Sequence, residues 1–294
     1  MTYNNPKILD DYIPIVIGKK LSAVLDKSGV MMQCVNKDYE GDIKAKGDTV
    51  RIIVPGDVAV STYQGTISSY EELSGTSKDL LIDQEKIFAF KVPDITKSQT
   101  GLDLVEKYIE RAKVALDLEK DTYIFSKHVD VPADNILGTT TAPVAITTSN
   151  IYSKIAGLRK ILANNNAFAS GKRPWLVISP DIETLLIQST EFTHATQLGD
   201  EVLKEGQIGR VAGFDVLCST NLTQIDVTVS GTAAKANVVF AGTSDAITFA
   251  SQVVQIEKNR DPNSFSDLVR GLYVYGAKTV LPKATAKLIC TLPA

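Results

Sequence analysis

Apolar and polar positions along the chain change period several times, and each change marks an element. From Thr49 the alternation is strand-like: Val50, Ile52 and Val54 interleave with Arg51 and Ile53, and Pro55-Gly56 ends the run. A second strand-favouring run, Lys86-Ile-Phe-Ala-Phe-Lys-Val92, ends at Pro93. Between them Ser61–Gly75 is polar and has too few apolar side chains to bury much area. The pattern predicts a long β-hairpin over residues 49–92 with an extended tip. A lone two-stranded ribbon is marginal in water, so this one is expected to lie on a neighbour.

The period then lengthens. Leu102, Val105, Tyr108, Ile109, Ala112, Leu116 and Tyr123 keep helical spacing, and Thr100 with Asp103 forms a capping signature. A helix over residues 101–128, roughly 40 Å long, is predicted. Glu110/Lys113 and Asp117/Lys120 are i,i+3 pairs for its wet face. After a Pro/Thr/Ala/Gly-rich loop over 130–148, Ser149 is expected to cap a second helix. That helix has Ile151, Ile155, Leu158, Ile161 and Leu162 on one face and ends at Asn164-Asn-Asn166. Trp175-Leu-Val-Ile178 reads as a buried strand. Ser179-Pro-Asp-Ile-Glu183 combines N-cap, N1 proline and acidic first turn, and so starts a third helix. Further on come a strand over Asn237–Gly242, a short helix at 245–249, a strand over Gln252–Ile256 and a polar loop at 257–264. Strands at Leu272–Gly276 and Ala284–Cys290 close the chain. Residues 1–40 carry only short apolar bursts, Ile8-Leu9 and Ile13–Ile17, as an arm that packs on something else would.

Composition narrows the class. A chain of 294 residues fits one large domain or two smaller ones, and 44% hydrophobic with 22% charged residues is ordinary for a folded protein. The formal net charge of −3 excludes a dedicated nucleic-acid binder but not a protein that encloses nucleic acid. Cys34, Cys218 and Cys290 are far apart and form no CxxC pair, so buried free thiols are expected, and a reducing cytoplasm as the place of synthesis. The N-terminus lacks the charged-then-apolar pattern of a signal peptide, and no apolar run is long enough to span a bilayer.

The residues offer little chemistry. His128 and His194 have no partner at ligand spacing; His128 suits the negative end of the long helix. There is no nucleophile elbow and no Walker loop. Adjacent acids such as Asp10-Asp11 and Glu71-Glu72 read as solvated faces, and Lys19-Lys20 and Lys172-Arg173, the densest basic spots, as surface charge. Gly206, Gly209 and Gly213 imitate a phosphate loop. However, the helix-like Glu201–Glu205 precedes them and the strand-like Phe214–Cys218 follows, the reverse of the order a dinucleotide loop requires. These glycines are expected to serve backbone geometry at a domain junction. No catalytic, metal or cofactor-binding residue is expected.

The order of these elements is distinctive. Pro174-Trp-Leu-Val-Ile-Ser-Pro-Asp-Ile-Glu183 is followed by Gly206-x-x-Gly-x-x-x-Gly-Phe-Asp-Val-Leu-Cys-Ser-Thr-Asn-Leu222. With the arm, hairpin and long helix before them, these segments resemble the major capsid protein of tailed bacteriophages, of HK97-type fold, over essentially the whole chain. The resemblance implies an α+β fold. Its parts would be an N-arm (1–40), an E-loop (41–95), a peripheral domain (96–215 and 266–294) and an axial domain (216–265). It implies a non-enzymatic shell protein of a phage or prophage, without cofactor, that self-assembles through pentamers and hexamers around double-stranded DNA. Its location would be the virion capsid, after synthesis in the host cytoplasm. Itself, scaffolding, portal and decoration proteins are the implied partners, with DNA enclosed without sequence-specific binding and no membrane. Tyr63, Tyr70, Glu71 and Glu72 at the hairpin tip become intersubunit contact candidates. An encapsulin-type compartment shell, enclosing cargo enzymes, is the alternative.

Overall fold

The computed structural model describes residues 29–39, 49–56, 58–60, 62, 72, 75–94, 104–169, 171–189, 209–229 and 232–292. In chain order its strands are β1 (Thr49–Pro55), β2 (Gly75–Leu81), β3 (Gln84–Pro93), β4 (Ile136–Leu137), β5 (Val144–Ala145), β6 (Pro174–Ile178) and β7 (Arg210–Val211). They continue with β8 (Phe214–Cys218), β9 (Gln224–Val229), β10 (Thr232–Thr243), β11 (Ile247–Arg260), β12 (Ser266–Thr279) and β13 (Thr285–Thr291). The α-helices are α1 (Leu104–Ser126), α2 (Ile151–Asn164) and α3 (Pro180–Ile187). The fold is α+β: a two-stranded ribbon β1-β2, a three-stranded sheet β11-β12-β3, and an eight-stranded sheet ordered β4-β13-β10-β6-β8-β7, with β5 on β13 and β9 on β10.

The eight-stranded sheet is covered on both faces around β6, which is buried at every position. On one face Leu176 and Ile178 meet Ile151, Ile155, Leu158 and Leu162 of α2 and Ile182 and Leu186 of α3. On the other, Trp175 and Val177 meet Phe240, with the Trp175 and Phe240 rings edge-to-face at 5.2 Å. Ser179 caps α3 as expected, its hydroxyl accepting from the Ile182 N–H at 3.4 Å, and Pro180 follows it. α2 differs. It starts at Ile151 and Asn150, not Ser149, takes the cap position. Ser149 Oγ is engaged by Thr147 Oγ1 at 3.0 Å, and the Asn150 side chain closes the preceding turn, accepting from the Thr147 N–H at 2.9 Å.

α1 spans 23 residues, roughly 35 Å. The start expected at Thr100–Asp103 lies outside the described residues, and a short 3-10 stretch over Lys127–Asp130 continues the other end. On its wet face Asp117 pairs with Lys120 at 2.8 Å, whereas Glu110 pairs backwards with Lys107 at 3.0 Å. Its last turns are buried at Asp121, Ile124 and Phe125, and Tyr123 packs edge-on against Tyr275 of β12 at 5.3 Å. Asp121 is the polar pin. One carboxylate oxygen accepts from the Val30 and Met31 N–H groups at 2.8 and 2.7 Å, and the other from Asn221 Nδ2 at 3.4 Å. Segment 29–36 is tied in turn to β11 by a bridge between Asn36 and Thr248. Burial pushes the Asp121 carboxyl above its ordinary value, against the pull of these hydrogen bonds.

Strand pairing corrects the expected hairpin. β1 pairs with β2, from the polar stretch, and not with the 86–92 run. That run belongs to β3, which pairs with β12 from Ser266↔Pro93 to Tyr275↔Gln84. Two residues, Ile82 and Asp83, separate β2 from β3, so the chain leaves the ribbon directly for the other sheet. β3 is drawn there by its alternating face: Phe88, Phe90 and Val92 pack with Val269 and with Ile109 of α1.

The helix expected at 245–249 is a turn. Ala246 N–H reaches back to Thr243 O at 3.0 Å, and the β-branched Ile247 and Thr248 then open β11. The polar loop expected at 257–264 shortens for the same kind of reason. β11 runs on to Arg260 because Glu257 stands opposite Arg270 across the ladder and binds it. Cys34 and Cys290 are buried as expected, but Cys218, at the end of β8, is only partly so. The boundary expected at 215/216 falls within β8, whose parallel pairing with β6 puts both strands in one sheet.

Candidate functional site

The ribbon is the element whose surface the rest of the described residues leave open. β1 and β2 pair in register from Thr49↔Leu81 to Pro55↔Gly75, a length of roughly 24 Å. One side is anchored: Ile52, Leu80 and Ile82 are buried with Ala250, Val274 and Val280, and Lys78 Nζ donates to the Val280 carbonyl at 2.7 Å. The backbones approach so closely that a Cβ on Gly276 would lie 2.3 Å from the Leu81 carbonyl oxygen. The other side is open, with Ile53 73% and Leu81 51% exposed, and just past the end of β1 Val58 and Val60 are 63% and 96% exposed. Arg51 and Asp79 pair across it at 3.0 Å in full solvent, which fixes register more than stability. Ile53 and Leu81 thus leave apolar surface open on one face of an anchored ribbon.

A second such place is the turn between β11 and β12. Phe265 is 84% exposed there, on a turn stiffened by charge. Asp261 accepts from Ser264 Oγ at 2.6 Å and the Asn263 N–H at 2.9 Å and pairs with Lys91, which together hold its carboxyl well below the usual range. Arg260 bridges Asp94 and Asp267, its Nη1 2.7 and 3.0 Å from their Oδ1 atoms.

Of the contact candidates read from sequence, Glu72 is described and exposed; Tyr63, Tyr70 and Glu71 lie outside the described residues. So do Gly206 and His194. Gly209 faces open space, whereas Gly213 stands at φ +82° just before β8, with the Arg159 guanidinium where a Cβ would be. The structure does not bring Gly209 or Gly213 to the ribbon: they precede β7 and β8, at one end of the eight-stranded sheet. Sequence reading missed Asp121, and also the Arg260–Asp94 bridge, whose members are 166 residues apart with no spacing signal to connect them.

The described residues do not assemble a reactive site. Burial pushes the thiols of Cys34, Cys218 and Cys290 up to about 12, so they are protonated at neutral pH. His128 is held 2.8 Å from the Phe125 carbonyl, near the end of α1, and burial lowers its pKa, so the ring is neutral there. No group of three or more His, Cys, Asp and Glu suited to a metal occurs among the described residues, and no described helix is long and apolar enough to cross a membrane.

A family model described as phage capsid protein matches residues 93–288, well over half of the chain. The chain belongs to this family. Among solved structures, a chain from Mycobacterium phage Che8 is similar at 27% identity and a TM-score of 0.74, with 98% of each chain covered. The capsid of the cyanophage P-SCSP1u has a TM-score of 0.76 at 14% identity, covering 100% of this chain and 97% of that one. The capsid of a native GTA particle has a TM-score of 0.67 at 10% identity, covering 96% of each chain. No curated protein matches the chain. It is thus a structural protein of an icosahedral phage capsid, resident in the virion shell, and its family is not enzymatic. The encapsulin-type reading is not favoured.

Proposed function

We propose that this capsid protein assembles through pentamers and hexamers into the head that encloses the double-stranded DNA genome, with the ribbon β1-β2 laid across the neighbouring subunit. The open side of the ribbon carries this reading: Ile53 and Leu81 stay in solvent, as do Val58 and Val60 just past β1, while the opposite side is fixed to the subunit's own sheet. Each such contact is head-to-tail, and head-to-tail contacts close into rings when the rotation allows. In this reading residues 41–81 are the E-loop. The peripheral domain is α1 with the three-stranded sheet, and the axial domain is the eight-stranded sheet with α2 and α3, so the division follows the sheets and not the boundary at 215/216. Tyr63, Tyr70, Glu71 and Glu72 at the tip, and the arm over residues 1–28, make further intersubunit contacts. Gly206, Gly209 and Gly213 shape the backbone leading into β7 and β8. Scaffolding, portal and decoration proteins are further partners, synthesis is in the host cytoplasm, and the net charge of −3 suits a shell without general affinity for its genome.

Deletion of residues 61–74 tests the ribbon's role, because it spares the β1-β2 ladder and the buried Ile52 and Leu80. The expected result is a monomer melting as the native chain does, with no shells by electron microscopy. Shells of native size and yield would overturn the reading.

A further inference from the structure

A cavity of about 370 Å³ opens beside the N-terminal ends of β6 and β8, and four cationic side chains line it: Arg159, Lys172, Arg173 and Arg210. They come from α2, the segment before β6, and β7. Two are balanced, Lys172 by Asp245 at 2.5 Å, with Asp38 further off, and Arg210 by Asp215 at 3.0 Å. No carboxylate among the described residues pairs with Arg159 or Arg173. Arg159 is also set in place before any ligand arrives. Its Nη1 donates to the Ala212 carbonyl at 2.5 Å, and its guanidinium lies over the Phe168 ring, 5.7 Å from the centroid. The slot exists because residue 213 is glycine: a Cβ there would stand 1.3 Å from Nη1. This gives a physical use to one of the glycines that imitate a phosphate loop in the sequence.

We propose that this cavity binds a phosphate group, supplied by the backbone of nucleic acid or by free phosphate. A guanidinium is a planar fork of donors matched to two phosphate oxygens, and it is weakly hydrated, so it gives up water readily. Arg159 and Arg173 supply two positive charges, the charge of one phosphate dianion or of two successive phosphodiesters. Pre-ordering of Arg159 by Phe168 and Ala212 removes much of the entropy cost of fixing a long side chain on the ligand. A local site of this kind is compatible with a net charge of −3, because exposed charges beyond about 10 Å are screened at ordinary salt. The inference goes beyond the capsid reading, and shell formation does not depend on it.

The test uses the full chain, with Arg159→Gln, Arg173→Gln and, as a charge control on α1, Lys113→Gln. Thermal melting is followed with inorganic phosphate against chloride at equal ionic strength. Binding of a labelled DNA duplex is followed by anisotropy as a function of salt. The expected result is a phosphate-dependent rise in melting temperature, from which each arginine change is read as an about tenfold weaker phosphate affinity. The salt slope of duplex binding should fall by about 1 for each arginine removed, with Lys113→Gln behaving as the native chain. Competition between phosphate and duplex identifies the backbone as the source; phosphate binding without duplex binding assigns the cavity to free phosphate. Arg173 is exposed, so its variant stays informative if Arg159→Gln fails to fold. No response to phosphate or duplex, or equal effects of Lys113→Gln and Arg173→Gln, overturns the proposal. So does loss of shells by electron microscopy with phosphate binding unchanged, which would make these arginines subunit contacts.

Discussion

The eight-stranded sheet and the ribbon are built from similar strand-forming residues, yet they end differently. In the sheet, Leu176 and Ile178 look into α2 and α3 while Trp175 and Val177 look into a second cluster, so β6 completes its burial within one chain. In the ribbon, Ile52 and Leu80 are buried while their neighbours Ile53 and Leu81 are left 73% and 51% exposed. One region completes its burial within the chain; the other, in the proposed reading, is finished by a neighbour. Substitutions in the first should therefore act on folding, and substitutions on the open side of the second on assembly.

The largest expected effect lies in the sheet. Phe240→Ala removes a fully buried ring packed edge-to-face against Trp175 and should cost about 3–5 kcal/mol in chemical denaturation of the monomer. A cost below about 1 kcal/mol would mean that this sheet is not the folding core. Gly276→Ala is next, because it acts where the ribbon rests on β12 of the three-stranded sheet. The added Cβ meets the Leu81 carbonyl, and an overpacked site of this kind costs about 1–3 kcal/mol. An unchanged midpoint would show that the ribbon can lift from β12 freely.

Asp121 sharpens the comparison through pH. Its folded pKa is raised, chiefly by burial. Its contribution to stability is therefore fully present below its unfolded value of about 3.9 and is lost as pH rises through the folded value. Melting temperatures of the native chain and of Asp121→Asn should diverge as pH rises above about 4, with the native chain losing ground. A constant difference would mean that Asp121 keeps an ordinary pKa. The smallest effect on the monomer belongs to the exposed chain just past the end of β1. Val60→Asp should change unfolding free energy by no more than about 0.5 kcal/mol while reducing shell yield.

The same contrast explains what the sequence revealed. β6, the Ser179 cap and α1 are local matters: a run of apolar residues, a hydroxyl before Pro180, a 3.6-residue period. The partner of β1 is not local. β2 reads Gly-Thr-Ser-Lys-Asp-Leu-Leu, with apolar side chains only at its end, and its register comes from Ile52 and Leu80 meeting Val274 and Val280 far along the chain. The turn at 244–246 was illegible for a similar reason, since Asp245-Ala246 suits a helix until the β-branched residues after it find β12. Capsid membership was legible because it rests on the order of elements. The Arg159–Gly213 contact and the Asp121 pin were not, because each joins residues that only the finished fold brings together.

The central claim is that the ribbon's open side belongs to the neighbouring subunit. The most direct measurement is electron microscopy of Ile53→Asp/Val60→Asp beside the native chain, with the melting temperature of the unassembled protein taken from the same preparation. The account predicts a native melting temperature and no shells. Native shells from the double variant, or a monomer that unfolds because of it, would contradict it.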